Sequence, residues 1–298
     1  MILFPNAKIN LGLNIVERRA DGYHNLETVF YPIPLNDILE VVPLSGQMNE
    51  DAFSSSNYHT SQIDGGSLLH SSGIVIDGNP EDNLVVKAYR LLQREFDLPP
   101  VHICIHKSIP SGAGLGGGSS DAAYMLRILR QLFSLPLTDE RLEELAATLG
   151  ADCAFFVQER PVFATGIGNI FTPLPSFTLR GYKLALVKPD IFVSTREAFS
   201  QVHPHRPKVS LTDIIRFPVK QWHEAGMVND FEESVFAIHP AIGDVKEKLY
   251  DLGASYASMS GSGSSLFALF EPDAVCPDTD ALAAMYPNYF CRVCELFF

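Results

Sequence analysis

The chain has 298 residues, 46% hydrophobic and 19% charged, a balance that fits one large or two ordinary globular domains and excludes disordered, collagen-like or coiled-coil chains. Its 22 Lys and Arg against 35 Asp and Glu give a net charge of −13, and no basic run supplies a face for bulk nucleic acid or an anionic membrane. Any phosphate is therefore expected to be held locally, by a few side chains and backbone N–H groups. Met1-Ile-Leu-Phe-Pro5 lacks the basic start of a signal peptide, and no apolar run reaches the roughly 18–20 residues that span a bilayer. With five cysteines, an odd and sparse set, a reduced cytoplasmic protein is expected.

Residues 8–16 alternate apolar with other residues, a strand pattern, and Asp21-Gly22 then turns the chain into strand-like runs near 26–33 and 37–43. The Ser-, Gly- and His-rich stretch 45–72 reads as an exposed, mobile insertion with no packed core. Asp82 or Asn83 can cap a helix in which Leu84, Val85, Ala88, Leu91, Leu92 and Phe96 recur at helical spacing, and Val101 to His106 is a further strand. After a glycine-rich loop, Asp121 to Phe133 forms an apolar helix. Another starts at Thr138, with Arg141 where a capping box would want Glu or Gln, and stops at Gly150. Beyond residue 160 come strands, a Pro- and His-rich bend at 202–207, helices near 228–237 and 241–251, and a glycine-serine turn at 260–265. The mixed order points to an α+β fold rather than a doubly wound parallel sheet. Cys291-Arg-Val-Cys294 has metal or redox spacing but stands in an apolar, strand-like tail without a second pair, so no metal site is expected there.

The most informative segment is Pro110-Ser111-Gly112-Ala113-Gly114-Leu115-Gly116-Gly117-Gly118-Ser119-Ser120. Its glycines let the backbone approach a ligand, and the helix that follows aims its unsatisfied N–H groups and positive dipole end back at the loop. That combination suits phosphate. No lysine follows as a Walker loop requires, and the dinucleotide pattern Gly112-x-Gly114-x-x-Gly117 lacks its acidic strand end about 20 residues on. Near the start, Pro5-Asn-Ala-Lys8-Ile-Asn10 places Lys8 and Asn10 on an otherwise apolar strand, where a lysine is usually a solvated end. Met259 to Phe267 is a glycine turn that a hairpin alone would explain.

In this order the three segments resemble the three motifs of the GHMP kinase superfamily, over nearly the whole chain. Arg19-Ala-Asp-Gly-Tyr23-His24-Asn-Leu-Glu-Thr-Val-Phe30, with Gly150-Ala-Asp152, is similar to the branch that phosphorylates a cytidine-diphosphate alcohol in non-mevalonate isoprenoid synthesis. The resemblance implies two α+β domains, 1–157 (ATP-binding) and 158–298, with mixed sheets and a cleft between them. ATP, with Mg²⁺ on its phosphates, and the small-molecule alcohol would be the partners; no nucleic acid or membrane is implied. Asp152 would be the general base and Lys8 the cation that keeps it ionised. The glycine loop would hold phosphate and Asn83 would lie near adenine. Asn10, Tyr23, His24, Phe30 and, less closely matched, Thr195 and Phe199 would meet the cytidine substrate. Many relatives read Gly-Ala-Asp-Val-Pro where this chain has Gly150-Ala-Asp-Cys-Ala154, which leaves the turn around Asp152 open. Residue by residue, simpler roles compete: a turn for Asp152, Tyr23 and His24, a core ring for Phe199, a helix cap for Asn83. A mevalonate-type or sugar kinase, an NAD(P)-dependent dehydrogenase and a nucleotide-binding module without chemistry are the competing functions.

Overall fold

The structure, a computed structural model, describes residues 1–44, 59–63, 66–76 and 78–298. The chain forms two compact units: Met1–Ala7, Leu35–Ser111 and Gly116–Glu159 make the first, and Lys8–Pro34, Gly112–Leu115 and Arg160–Phe298 the second. They interleave along the sequence instead of dividing once near residue 157, because two long strands and the glycine loop each contribute to both.

In the first unit a five-stranded sheet has the order β1 (Ile2–Leu3), β4 (Ile38–Pro43), β7 (Val101–Lys107), β6 (Ser67–Gly73), β5 (His59–Ile63). β6 and β7 are parallel neighbours, which requires a crossover, and helix α1 (Leu84–Phe96) supplies it. Asn83 caps α1 by accepting from the Val85 N–H at 3.0 Å. Helix α2 (Gly117–Leu132) buries Ala122, Ala123, Met125, Leu126, Ile128 and Leu129 and packs against α1, α3 (Asp139–Leu149) and α4 (Phe155–Gln158). Because α3 and not an acid-ended strand follows α2, the dinucleotide reading of the glycine loop fails.

The stretch expected as an exposed insertion differs where it is described: β5 and β6 are sheet strands, and Ile63, Ser67, Leu69 and His70 are buried. Two of those places hold polar side chains with hydrogen-bond partners, Ser67 and His70, so little apolar period marks the stretch. Ser67 Oγ bonds Tyr89 OH at 3.1 Å and accepts from the Val101 N–H at 3.1 Å. Residues 45–58, 64 and 65 of that stretch lie outside the described residues.

Across this sheet runs a line of contacts, Thr60 Oγ1 to His70 Nδ1 at 2.9 Å and His70 Nε2 to His102 Nδ1 at 3.1 Å. Burial lowers the pKa of both histidines, and for His70 the charge of His102 adds to it. The unfolded chain, with histidines near pKa ~6.5, then binds more protons than the folded one, so stability is present above about pH 6.5 and falls as the pH drops below it. Urea unfolding at pH 7 and pH 5 should show this loss in the parent, and a smaller one in His70→Gln/His102→Gln. An unchanged loss in the double variant would place its origin elsewhere.

In the second unit one antiparallel sheet has the order β11 (Tyr256–Met259), β12 (Leu266–Phe270), β10 (Lys183–Lys188), β13 (Phe290–Glu295). Helices α7 (Phe231–Ile238), α8 (Pro240–Asp251) and α9 (Thr279–Met285) supply Phe231, Val235, Ile242, Val245, Leu249 and Leu282 to the core on that sheet. A second sheet orders β2 (Asn6–Arg18), β3 (His24–Asn36), β8 (Val162–Thr165), β9 (Ile170–Pro173). On β2, Ala7, Ile9, Leu11, Leu13 and Ile15 alternate with Lys8, Asn10, Gly12 and Asn14, and both faces are buried. A buried polar face must find hydrogen-bond partners.

Candidate active site

Those partners assemble the site. Lys8, only 3% exposed, donates from Nζ to Asn10 Oδ1 at 2.6 Å, and its ammonium lies 4.8 Å from the centre of the Phe30 ring. Asn10 Nδ2 donates to Thr28 Oγ1 at 3.0 Å, and Thr28 Oγ1 donates to Gly12 O at 2.5 Å. The Lys8 N–H donates to Leu115 O at 2.9 Å, which ties β2 to the glycine loop. Ser260 Oγ accepts from the Asn10 N–H at 3.3 Å and donates to Gly114 O at 2.8 Å. Gly114 sits at φ +74°, and a Cβ there would stand 1.9 Å from Ser260 O, so only glycine fits. The second unit thus brings together parts of all three motifs: Lys8 with Asn10, Gly112–Leu115, and the turn at Ser260, which is also the β11–β12 hairpin.

The rest of the glycine loop belongs to the first unit. Gly116, at φ +72°, is the N-cap of α2, so the helix begins at Gly117, earlier than the apolar pattern implied. Ser120 Oγ is buried with no hydrogen-bond partner among the described residues, in the first turn of a helix, where N–H groups lack partners within the helix. Beneath that turn Lys107 Nζ pairs with Asp37 and, at 2.6 Å, with Asp121. Asp37 Oδ1 accepts from the N–H groups of Ser108 at 2.6 Å and Ile109 at 2.9 Å, just before Pro110 and Ser111. Burial raises the pKa of Asp121 and the neighbouring Asp37 adds to it, while Lys107 pulls it down. None of these three was singled out from the sequence; a lysine closing an apolar strand and an acid opening an apolar helix were the available signals.

Asp152 is half-buried in the turn after α3. A Cβ on Gly150 would stand 3.2 Å from Cys153 Sγ and 4.0 Å from Ser119 Oγ, so this turn packs on the first turn of α2. Burial pushes the Cys153 thiol up to about 11, which keeps it protonated and out of any nucleophilic role. Ala154 has φ −63°, an angle that proline would also adopt.

At the proposed base end, Tyr23 is 64% exposed and follows the turn closed by the Arg19 N–H to Tyr23 O bond of 2.8 Å. His24 stacks on Phe199 with ring centres 4.7 Å apart, and burial, with Arg18 near, lowers its pKa and favours the neutral ring. Thr195 is exposed in the short helix α5 (Thr195–Ala198), whose start Ser194 and Glu197 cap reciprocally. Phe30 is grouped with Lys8 rather than on a surface. Asn83 lines a hollow of about 380 Å³ in the first unit with Ile74, Val75, Ile76, Asn79 and Asp82, so it caps α1 and borders a cavity at once. Among the described residues no cluster of three or more His, Cys, Asp or Glu could hold a metal, and no helix is long and apolar enough to cross a membrane.

Comparison with known proteins agrees with this layout. The model of the GHMP kinase N-terminal domain matches residues 83–160, and that of the C-terminal domain residues 219–288. A 4-diphosphocytidyl-2-C-methyl-D-erythritol kinase of Bacteroides fragilis is 57% identical over 99% of this chain and 100% of its own. One from Porphyromonas gingivalis is 51% identical over 91% of this chain and 92% of its own. A crystal structure of 4-(cytidine 5'-diphospho)-2C-methyl-D-erythritol kinase, 31% identical, superposes with a TM-score of 0.77 over 100% of both chains. A mevalonate kinase structure at 15% identity and a TM-score of 0.59 shares the fold alone. Full-length identity and the three interlocked motifs lead to one placement: the chain belongs to the GHMP kinase family and, within it, to the 4-diphosphocytidyl-2-C-methyl-D-erythritol kinases.

Proposed function

We propose that this chain transfers the γ-phosphoryl group of ATP to the 2-hydroxyl of 4-diphosphocytidyl-2-C-methyl-D-erythritol. The observation that carries the reading is the interlock around Lys8, in which Asn10, Gly114 and Ser260 bind one another in a chain 57% identical to a kinase named for that substrate. Phosphoryl transfer needs alignment and charge neutralisation more than covalent help. The glycine loop and the start of α2 present N–H groups for the phosphates, and the unpartnered hydroxyl of Ser120 fits a phosphate oxygen or a hard cation's oxygen shell. Magnesium, held there through Ser119 or Ser120, would supply neutralisation of phosphate charge.

In this reading Asp152 takes the proton of the acceptor hydroxyl and Lys8 stabilises the transferring group. Asn10 and Phe30 fix the lysine. Tyr23, His24 and Phe199, with Thr195 near, offer flat faces and a ring nitrogen to cytosine. The hollow beside Asn83 takes the adenine.

A coupled ADP assay tests the assignment. ADP should form only with the cytidine-diphosphate alcohol present, and should stop when Mg²⁺ is removed. Equal activity on an alcohol without cytidine, such as mevalonate, would overturn the substrate; ATP binding without transfer to any alcohol would overturn the kinase.

A further inference from the structure

The segment Asn229-Asp230-Phe231-Glu232, which leads into α7, has no role in the mechanism above, yet it holds the parts of the second unit that do. Asn229, 2% exposed, donates from Nδ2 to Met259 O at 2.7 Å and to Gly261 O at 2.8 Å, and its Oδ1 accepts from the Phe231 N–H at 3.0 Å. Glu232 Oε1 accepts from the Met259 N–H at 2.7 Å and from Ser258 Oγ at 3.0 Å, while Oε2 takes Lys246 Nζ at 2.5 Å. Two buried side chains thus fix both flanks of Ser260. The same segment grips β2: the Leu13 N–H donates to Val228 O at 2.8 Å, the Asp230 N–H to Leu13 O at 2.9 Å, and Asp230 Oδ2 accepts from the Ile15 N–H at 2.7 Å. Ser260 then meets Asn10, and Asn10 meets Lys8.

We propose that Asn229 and Glu232 are positioning residues for phosphoryl transfer, which fix the Ser260 turn against β2 and through it hold Asn10 and Lys8 in working geometry. The proposal rests on the kinase reading. A hydrogen bond to a main-chain carbonyl is short-ranged and directional, so losing the two donors of Asn229 frees the turn by a fraction of an ångström, enough to misplace a charge that acts on a transition state.

The test has two arms. Hydrogen exchange needs no activity: in Asn229→Ala the amide of Asn10, which donates to Ser260 Oγ, and that of Gly263, which donates to Ser260 O at 3.0 Å, should exchange faster, while the amides of α8 stay unchanged. Unaltered exchange at both would overturn the proposal even if the kinase reading fell. In the ADP assay, Asn229→Ala should lower kcat by about 10- to 100-fold with KM for ATP within about threefold. Combined with Ser260→Ala it should lose little more than the worse single variant, because both act through one turn. A kcat equal to the parent's, a change confined to KM, or multiplicative losses would each overturn it. If Asn229→Ala does not fold, Glu232→Ala and Glu232→Gln decide: the glutamine keeps the acceptor for Met259 and Ser258 and should retain most of kcat, whereas equal losses in the two would overturn the proposal.

Discussion

Alanine in place of Asp152 should lower kcat by about 10²- to 10⁴-fold, some 3–5 kcal/mol of barrier, while ATP still binds. An alcohol is a poor nucleophile until its proton leaves, and in the proposed reaction Asp152 alone takes it. The variant should fold, because the turn is closed by main-chain bonds, Gly150 N–H to Ala146 O at 3.3 Å and Cys153 N–H to Gly150 O at 3.1 Å. Single-turnover kinetics beside ATP titration separate the two effects, and near-normal turnover would remove the base. Lys8→Ala should behave differently. It also lowers kcat more than it raises KM, but it strips Asn10 Oδ1 of its shortest partner inside the protein, which costs about 1–3 kcal/mol of stability. A change in KM alone would make Lys8 a binding residue.

The contrast between these two residues explains what the sequence disclosed. Helices α1, α2, α3, α7 and α8 were legible because burial follows the apolar period, and the caps Asn83 and Thr138 stand where their side chains accept from Val85 and Arg141. Lys8 and Asn10 were legible as motif residues, but the pattern alone suggested a solvated strand end; the structure buries them because Thr28, Phe30 and Ser260 supply partners. Partners between 18 and 250 positions away leave no local trace. The same holds for His70, whose partner His102 lies 32 positions away, and for Asn229 and Glu232, which bind main-chain atoms of Met259 and Gly261 that any sequence would have. The glycine loop read as one phosphate cradle, yet Gly112–Leu115 packs in one unit and Gly116 onward in the other. Composition records where glycine is needed, but not which neighbour requires it.

Lys107 carries the largest stability effect outside the catalytic residues. Its ammonium is 3% exposed between the carboxyls of Asp37 and Asp121, which are themselves buried. Replacing one partner of such a set strands the others, so Lys107→Met should cost about 3–5 kcal/mol near neutral pH. The sign of its pH dependence follows from Asp121. Burial and Asp37 already raise its pKa, and without Lys107 to lower it the folded variant holds a proton that the unfolded chain, with aspartates near ~3.9, has released. A raised carboxyl contributes stability that is present below the unfolded pKa and lost as pH rises through the folded one. Lys107→Met should therefore lie closer to the parent in urea unfolding at pH 5 than at pH 8, and an equal deficit at both would show that Asp121 takes no proton. Adding Asp121→Leu should restore part of the loss, since it removes the buried carboxyl that Lys107 paired and that must otherwise take up a proton. ATP affinity should still fall in the single variant: Asp37 holds the Ser108 and Ile109 N–H groups directly before the glycine loop, and a carboxyl that has lost its Lys107 partner holds them less firmly.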